Sequence, residues 1–214
     1  MRWGVCVLIS TGSRRGTMLL VTGTDCLFSH SVRIVVHEKE VDCEYRFTKS
    51  DEQLVDLADV NPYAETPTLV DRDLVLYDPS VICEYLDERL PHPPMMSVDP
   101  VGRAKSRLLI HRLRRDWLDR ICALNRDYES ITDEDKQIIR DGLVSISPIF
   151  KEQKFLGGND HGLADSFLAP LLWRLSALGI KLPKPAAPLK EYAERVFNRS
   201  SFARSLTEAE KSLH

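Results

Sequence analysis

Glu65 to Pro94 reads E-T-P-T-L-V-D-R-D-L-V-L-Y-D-P-S-V-I-C-E-Y-L-D-E-R-L-P-H-P-P, and this stretch decides the fold. Apolar and β-branched residues alternate from Thr68 to Asp71 and again from Leu74 to Tyr77, around the polar turn Asp71-Arg72-Asp73, which predicts a short hairpin. A helix follows. Asp78 is placed to cap its free amides, Pro79 takes the first helical position, where a missing N–H costs nothing, and Pro91 stops it. Ile82, Tyr85, Leu86 and Arg89 recur between them at helical spacing. A proline directly ahead of a paired strand predicts a cis Thr66–Pro67 peptide, which turns the N–H and C=O of Thr66 outward.

Upstream, Met18 to Thr22 reads as a first strand, broken by Gly23-Thr24-Asp25. A helix is expected from Ser29, with Phe28, Val32, Val35 and Val36 on one face and Arg33, His37 and Lys39 elsewhere. Cys43 to Phe47 alternates as a strand, and Ser50 is placed to cap a short helix through Ala58. The order β-α-β-α-β-β-α is that of a thioredoxin-like sheet. With the hairpin and its helix, this ordered set resembles the glutathione-transferase superfamily, in which V-P-x-L leads through a β-hairpin into a helix opened by Glu-Ser. The closing run Asp87-Glu88-Arg89-Leu90-Pro91-His92-Pro93-Pro94 is narrower. It resembles the stringent starvation protein A family, the RNA-polymerase-associated branch of that superfamily.

Downstream of Pro94 no strand is expected. Ile110, Leu113, Trp117, Ile121 and Leu124 fall on one face of a long helix, and Thr132 to Gln153 gives a second, kinked near Pro148. Leu163 to Leu178 is apolar nearly all round and should be the buried centre of a helical unit. Pro183, Pro185 and Pro188 form a stiff connector to helices over Leu189 to Phe197 and Ser201 to Lys211. His161-Gly162-Leu163-Ala164-Asp165-Ser166-Phe167 resembles the capping-box helix of glutathione transferases, with glycine in place of their Ser or Thr. The expected fold is therefore α/β plus all-α, a glutathione-transferase fold. Its thioredoxin-like part covers 18–90, its linker 91–98 and its helical part 99–214, with residues 1–17 as a loose extension.

The chain's 29 basic and 32 acidic residues nearly balance, so no global field points to nucleic acid or to a membrane. Its five cysteines are widely spaced, with no C-x-x-C pair and no zinc-ligand spacing, which suits a reducing cytosol. No run approaches the roughly 20 apolar residues of a membrane span, and no histidine spacing supports a metal. No cofactor is expected.

Four local features carry the functional argument. Cys26 lies where thiol-using members of the superfamily have Cys-Pro-aromatic ahead of a helix, and a helix N-terminus favours a thiolate; Leu27 replaces the proline, and a structural free cysteine is the competing reading. Glutathione binding, by resemblance, needs Thr66, Pro67 and the Glu-Ser pair. The last reads Asp78-Pro79 here, which keeps a carboxylate for the ligand's amine but removes a hydroxyl and an N–H that would hold its carboxylate. Arg103, Arg107, His111 and Arg114 form one basic stripe at i, i+4, i+8 and i+11. It is expected to be solvated, to face the acidic hairpin and helix of a second subunit, through residues such as Asp78 or Glu84, or to form a patch for an acidic partner, and it lacks the interleaved aromatics of a nucleic-acid surface. Pro91-His92-Pro93-Pro94 is a stiff linker, or, by resemblance, the patch through which the family meets RNA polymerase. The resemblance implies a cytoplasmic homodimer that binds RNA polymerase holoenzyme, sigma factor included, under stress and without catalysis. The alternative is a glutathione-dependent thiol transferase using Cys26.

Overall fold

A computed structural model of the chain describes residues 17–48, 57, 61–124 and 127–213. The sheet has the order β2-β1-β3-β4. β1 (Met18–Gly23) is buried along its whole length at the centre. β2 (Cys43–Thr48) runs parallel to it after the crossover helix α1 (Leu27–Glu38), and β3 (Thr68–Asp71) and β4 (Leu74–Leu76) complete the other side antiparallel. The hairpin closes with Asp71 opposite Leu74, and Arg72 takes a left-handed φ of 56° in the two-residue turn. Tyr77 falls outside the pairing, so β4 is one residue shorter than the alternation suggests.

α2 (Pro79–Arg89) begins as expected, with Asp78 accepting from the amides of Ser80 and Val81 and Pro79 in the first turn. It buries Ile82, Cys83 and Leu86. α1 starts two residues before Ser29, with Cys26 as its N-cap. It is also buried nearly all round, because the sheet covers one side while helices from the second half of the chain cover the other. Arg33, expected off the buried face, is therefore inside. The short helix expected from Ser50 to Ala58 lies outside the described residues except for Leu57, which is helical and packs on Leu19 and Val21. Residues 1–16 also lie outside the description.

The second half is helical among the described residues apart from one isolated bridge, Phe155 to Gly158. α3 (Pro100–Leu113) continues through a π-helical stretch, Arg114–Leu118, into a last α turn, Asp119–Cys122. The π stretch carries Trp117 and Leu118, both buried in the core. α4 (Asp133–Ile146) passes so close that a Cβ at Gly142 would lie 2.5 Å from the Trp117 ring. The expected kink near Pro148 is a change of helix type, to a 3₁₀ segment Ser147–Lys151. α5 (Leu163–Arg174) is the buried centre and ends four residues before Leu178. α6 (Ala187–Phe197) absorbs Pro188 in its first turn. The last predicted helix is two, α7 (Ser200–Ser205) and α8 (Glu208–Lys211), separated where Thr207 caps the second. One continuous apolar core joins the sheet to this bundle, from Leu20 and Leu69 through Ile82 and Leu118 to Phe167 and Phe202.

Candidate functional site

The cis-proline loop and the start of α1 meet. Thr66–Pro67 is cis. Asn61 holds the loop ahead of it by donating from Nδ2 to the Glu65 carbonyl and the Thr68 hydroxyl, both at 2.9 Å. Cys26 Sγ accepts from the Ser29 amide at 3.4 Å and lies 3.7 Å from the Thr66 carbonyl, so the thiol reaches the outward oxygen that a peptide ligand would use. A Cβ at Gly23 would come 2.7 Å from that of Cys26, and this close approach seats the cysteine. Cys83 is fully buried, as a core position should be, and burial pushes its thiol up. Cys43 is half-buried at the core's edge, with its thiol pushed up to about 12 by desolvation.

Across the cleft, the expected free carboxylate of Asp78 is occupied. Besides capping α2, it accepts from Arg114 Nη1 at 2.9 and 3.2 Å, and the same nitrogen reaches Ser80 Oγ at 2.8 Å. The guanidinium also lies 5.1 Å over the ring of Phe28. Arg114 thus takes the place a ligand's amine would need, and Pro79 supplies no N–H for a ligand's carboxylate.

Arg114 is also the last member of the basic stripe, and its two other arginines behave alike. Arg107 makes a forked pair with Glu84 at 2.7 and 3.0 Å, and Arg103 pairs with Glu88 at 2.5 Å. The charge complementarity expected between two subunits is consumed within one chain. The register gives the reason: residues 78, 84 and 88 meet 114, 107 and 103, so α3 runs back antiparallel along α2. A groove of about 500 Å³ lies here, lined by Ser80, Glu84, Arg107, Ile110 and His111 among others. Such exposed pairs contribute little to stability each.

Pro91, His92, Pro93 and Pro94 are all exposed, directly above buried Met95 and Met96. The His92–Pro93 peptide is cis. The turn is held from below, since Asp87 Oδ1 accepts from the Met95 amide at 2.8 Å.

Sequence reasoning missed a buried ionic network between the two halves. Arg33 donates from Nη2 to both Glu210 carboxylate oxygens, at 2.7 and 2.6 Å, and from Nη1 to Thr22 Oγ1. Arg174 donates to Glu210 at 2.7 Å, to Asp25 at 3.0 Å and to the Tyr128 hydroxyl at 3.0 Å. His30 bridges to Ser205 at 3.0 Å, and burial, aided by Arg174 and Arg33, pushes its pKa well down, so it is neutral. Two guanidinium groups then face two carboxylates, and the charges balance. A second cluster joins Glu38 to Arg199 by a forked pair at 2.6 and 2.8 Å beside buried His161. One local signal was available: Thr207-x-x-Glu210 is a capping box and forms one. Among the described residues no group of histidines, cysteines and carboxylates could hold a metal, and no helix is long and apolar enough to cross a membrane.

Comparison with known proteins agrees with this geometry. Residues 25–89 match the glutathione S-transferase N-terminal domain and residues 128–200 the C-terminal domain. A glutathione S-transferase from Rhodospirillum rubrum superposes with a TM-score of 0.75 at 25% identity, over 90% of this chain and 93% of its own. The stringent starvation protein A homolog of Haemophilus influenzae is 41% identical over 94% of this chain and 95% of its own length. That of Coxiella burnetii is 39% identical over 94% and 96%. With nearly full-length identity of this order on a glutathione-transferase fold, the chain belongs to the stringent starvation protein A family.

Proposed function

We propose that this protein is a transcription regulator that binds RNA polymerase holoenzyme, sigma factor included, in the cytoplasm under stress, and does so by docking without chemistry. The observation that carries the reading is a contrast between two sites. At the start of α2, where a transferase holds its tripeptide, Asp78 is already paired with Arg114 of the same chain, whereas the Pro91–Pro94 turn stands exposed beside buried Met95 and Met96. Rigid rings with one polar imidazole make a docking surface that loses little entropy on binding. A homodimer is part of the proposal. Its seam is the α2–α3 face, where Val81, Val101 and Leu108 are exposed beside the same-chain ion pairs.

Replacing Pro91, His92 and Pro93 together by alanine is expected to lower capture of RNA polymerase holoenzyme by about tenfold or more, the scale of one lost hot spot. Melting temperature and a two-chain mass on a sizing column should stay as in wild type. Undiminished capture would defeat the docking patch, a collapse of melting would show the turn to be a structural joint, and a one-chain mass for wild type would remove the seam.

The thiol-transferase reading keeps one observation in its favour, the Cys26 thiol beside the Thr66 carbonyl. With Asp78 occupied, calorimetry against glutathione is expected to show no heat of binding, and disulfide-reduction assays no turnover. Turnover that disappears in Cys26→Ser would install the rival.

A further inference from the structure

Lys39 ends α1, far in sequence from the proline turn, yet its side chain is 0% exposed and lies directly beneath it. An ammonium group carries three N–H donors, and this one meets three oxygens: the Leu90 carbonyl at 2.8 Å, Asp87 Oδ1 at 2.5 Å, and the Pro93 carbonyl. Asp87 Oδ1 also takes the Met95 amide, and the Met95 carbonyl accepts from Leu163 at 2.9 Å, the first residue of α5. The turn is thereby tied to the end of α1, the end of α2 and the start of α5.

The chemistry of the turn makes this anchor necessary. Pro91, Pro93 and Pro94 have no N–H, so the segment cannot build a ladder of its own, and its inward carbonyls need a donor from elsewhere. A buried ammonium is costly unless every proton is used and a counter-charge is adjacent. Both conditions hold here, and they hold only while Leu90 and Pro93 keep their present positions.

We infer that Lys39 is the positioning residue of the docking turn. Its ammonium holds the carbonyls inward so that the proline rings and the His92 imidazole face solvent in one arrangement, and a partner then meets a surface already ordered. This rests on the docking reading above.

The test uses the full chain carrying Lys39→Met, similar in length but without the donors, together with Asp87→Asn. The second change avoids an unpaired buried carboxylate and keeps an acceptor for the Met95 amide. Hydrogen exchange at the Met95 and Leu163 amides is expected to quicken about tenfold or more, while Phe167, deep in α5, keeps its wild-type rate. Capture of purified RNA polymerase holoenzyme should fall about tenfold. His92→Ala is the comparison, since it should lower capture and leave exchange unchanged. Wild-type exchange in the double variant would overturn the inference, and so would a loosened turn with undiminished capture. Failure of the docking reading has another signature: wild type itself would retain no polymerase, and the exchange rates would still decide for or against Lys39 as the group that holds the turn.

Discussion

Glu210→Gln should cost about 3–5 kcal/mol, the range for breaking a buried ion pair from one side. The side chain is 0% exposed and is the only carboxylate bonded to Arg33 among the described residues, while it shares Arg174 with Asp25. Glutamine keeps the shape and one acceptor but removes the charge, leaving two guanidinium groups with a single anion. Those groups cannot shed their protons to compensate, because an arginine stays charged in a protein. For a chain of this size each kcal/mol is worth about 2–4 °C, so the melting temperature should drop by about 10 °C. Urea titration of wild type and variant checks it; a loss under about 1 kcal/mol would mean that water enters the network and solvates the arginines.

Asp165→Ala is the second large effect, and its cause is different. Oδ1 accepts from the Leu156 amide at 2.8 Å and the Tyr192 hydroxyl at 2.7 Å, and Oδ2 from the Gly162 amide at 2.9 Å. Alanine leaves the Leu156 amide and the Tyr192 hydroxyl buried without this acceptor, each worth about 1–3 kcal/mol, and frees the half-buried Gly162 amide, so a loss of about 2–6 kcal/mol is expected. The damage should concentrate at the start of α5, with Leu156 and Gly162 the amides whose exchange quickens most. A fully cooperative loss with no local excess in exchange would show that Asp165 acts through the whole core and not through the cap. The glycine where relatives of the fold place Ser or Thr has a local reason, since a Cβ at Gly162 would come 3.1 Å from the Met95 carbonyl.

What was legible in the sequence follows from range. The hairpin, the Asp78 cap, the cis Thr66–Pro67 peptide and the central helix depend on residues a few positions apart, and all four formed, with β4 one residue and the central helix four residues shorter than expected. The basic stripe was legible as charge but not as geometry. Nothing local says that α3 doubles back on α2, so Asp78 and Glu84 were offered as partners for a second subunit's stripe, whereas they pair with Arg114 and Arg107 of their own chain. Arg33 was misplaced for a related reason: a helical wheel assigns charge to water, and only a partner 177 residues away makes burial tolerable. The π stretch at Arg114–Leu118 left no signal, because Leu113, Trp117 and Ile121 recur at the spacing of a regular helix through it. Lys39 was placed only off the apolar face of α1, and the three oxygens that bury it come from Asp87 in α2 and from the Leu90 and Pro93 carbonyls of a turn whose conformation the sequence did not specify.

The separation between Arg33 and Glu210 also sets an order in time. At the usual pace of synthesis, 177 residues take roughly 10–35 seconds. For that interval the first crossover helix has left the ribosome carrying a guanidinium and an imidazole meant for the interior, with their carboxylate not yet made. The face of α1 that carries Arg33 is covered by helices from the second half, so the buried network can form only once α8 is present. A chain without Glu210 would leave Arg33 with no carboxylate among the described residues and Arg174 with Asp25 alone, so the two halves lose the contact that joins them by charge.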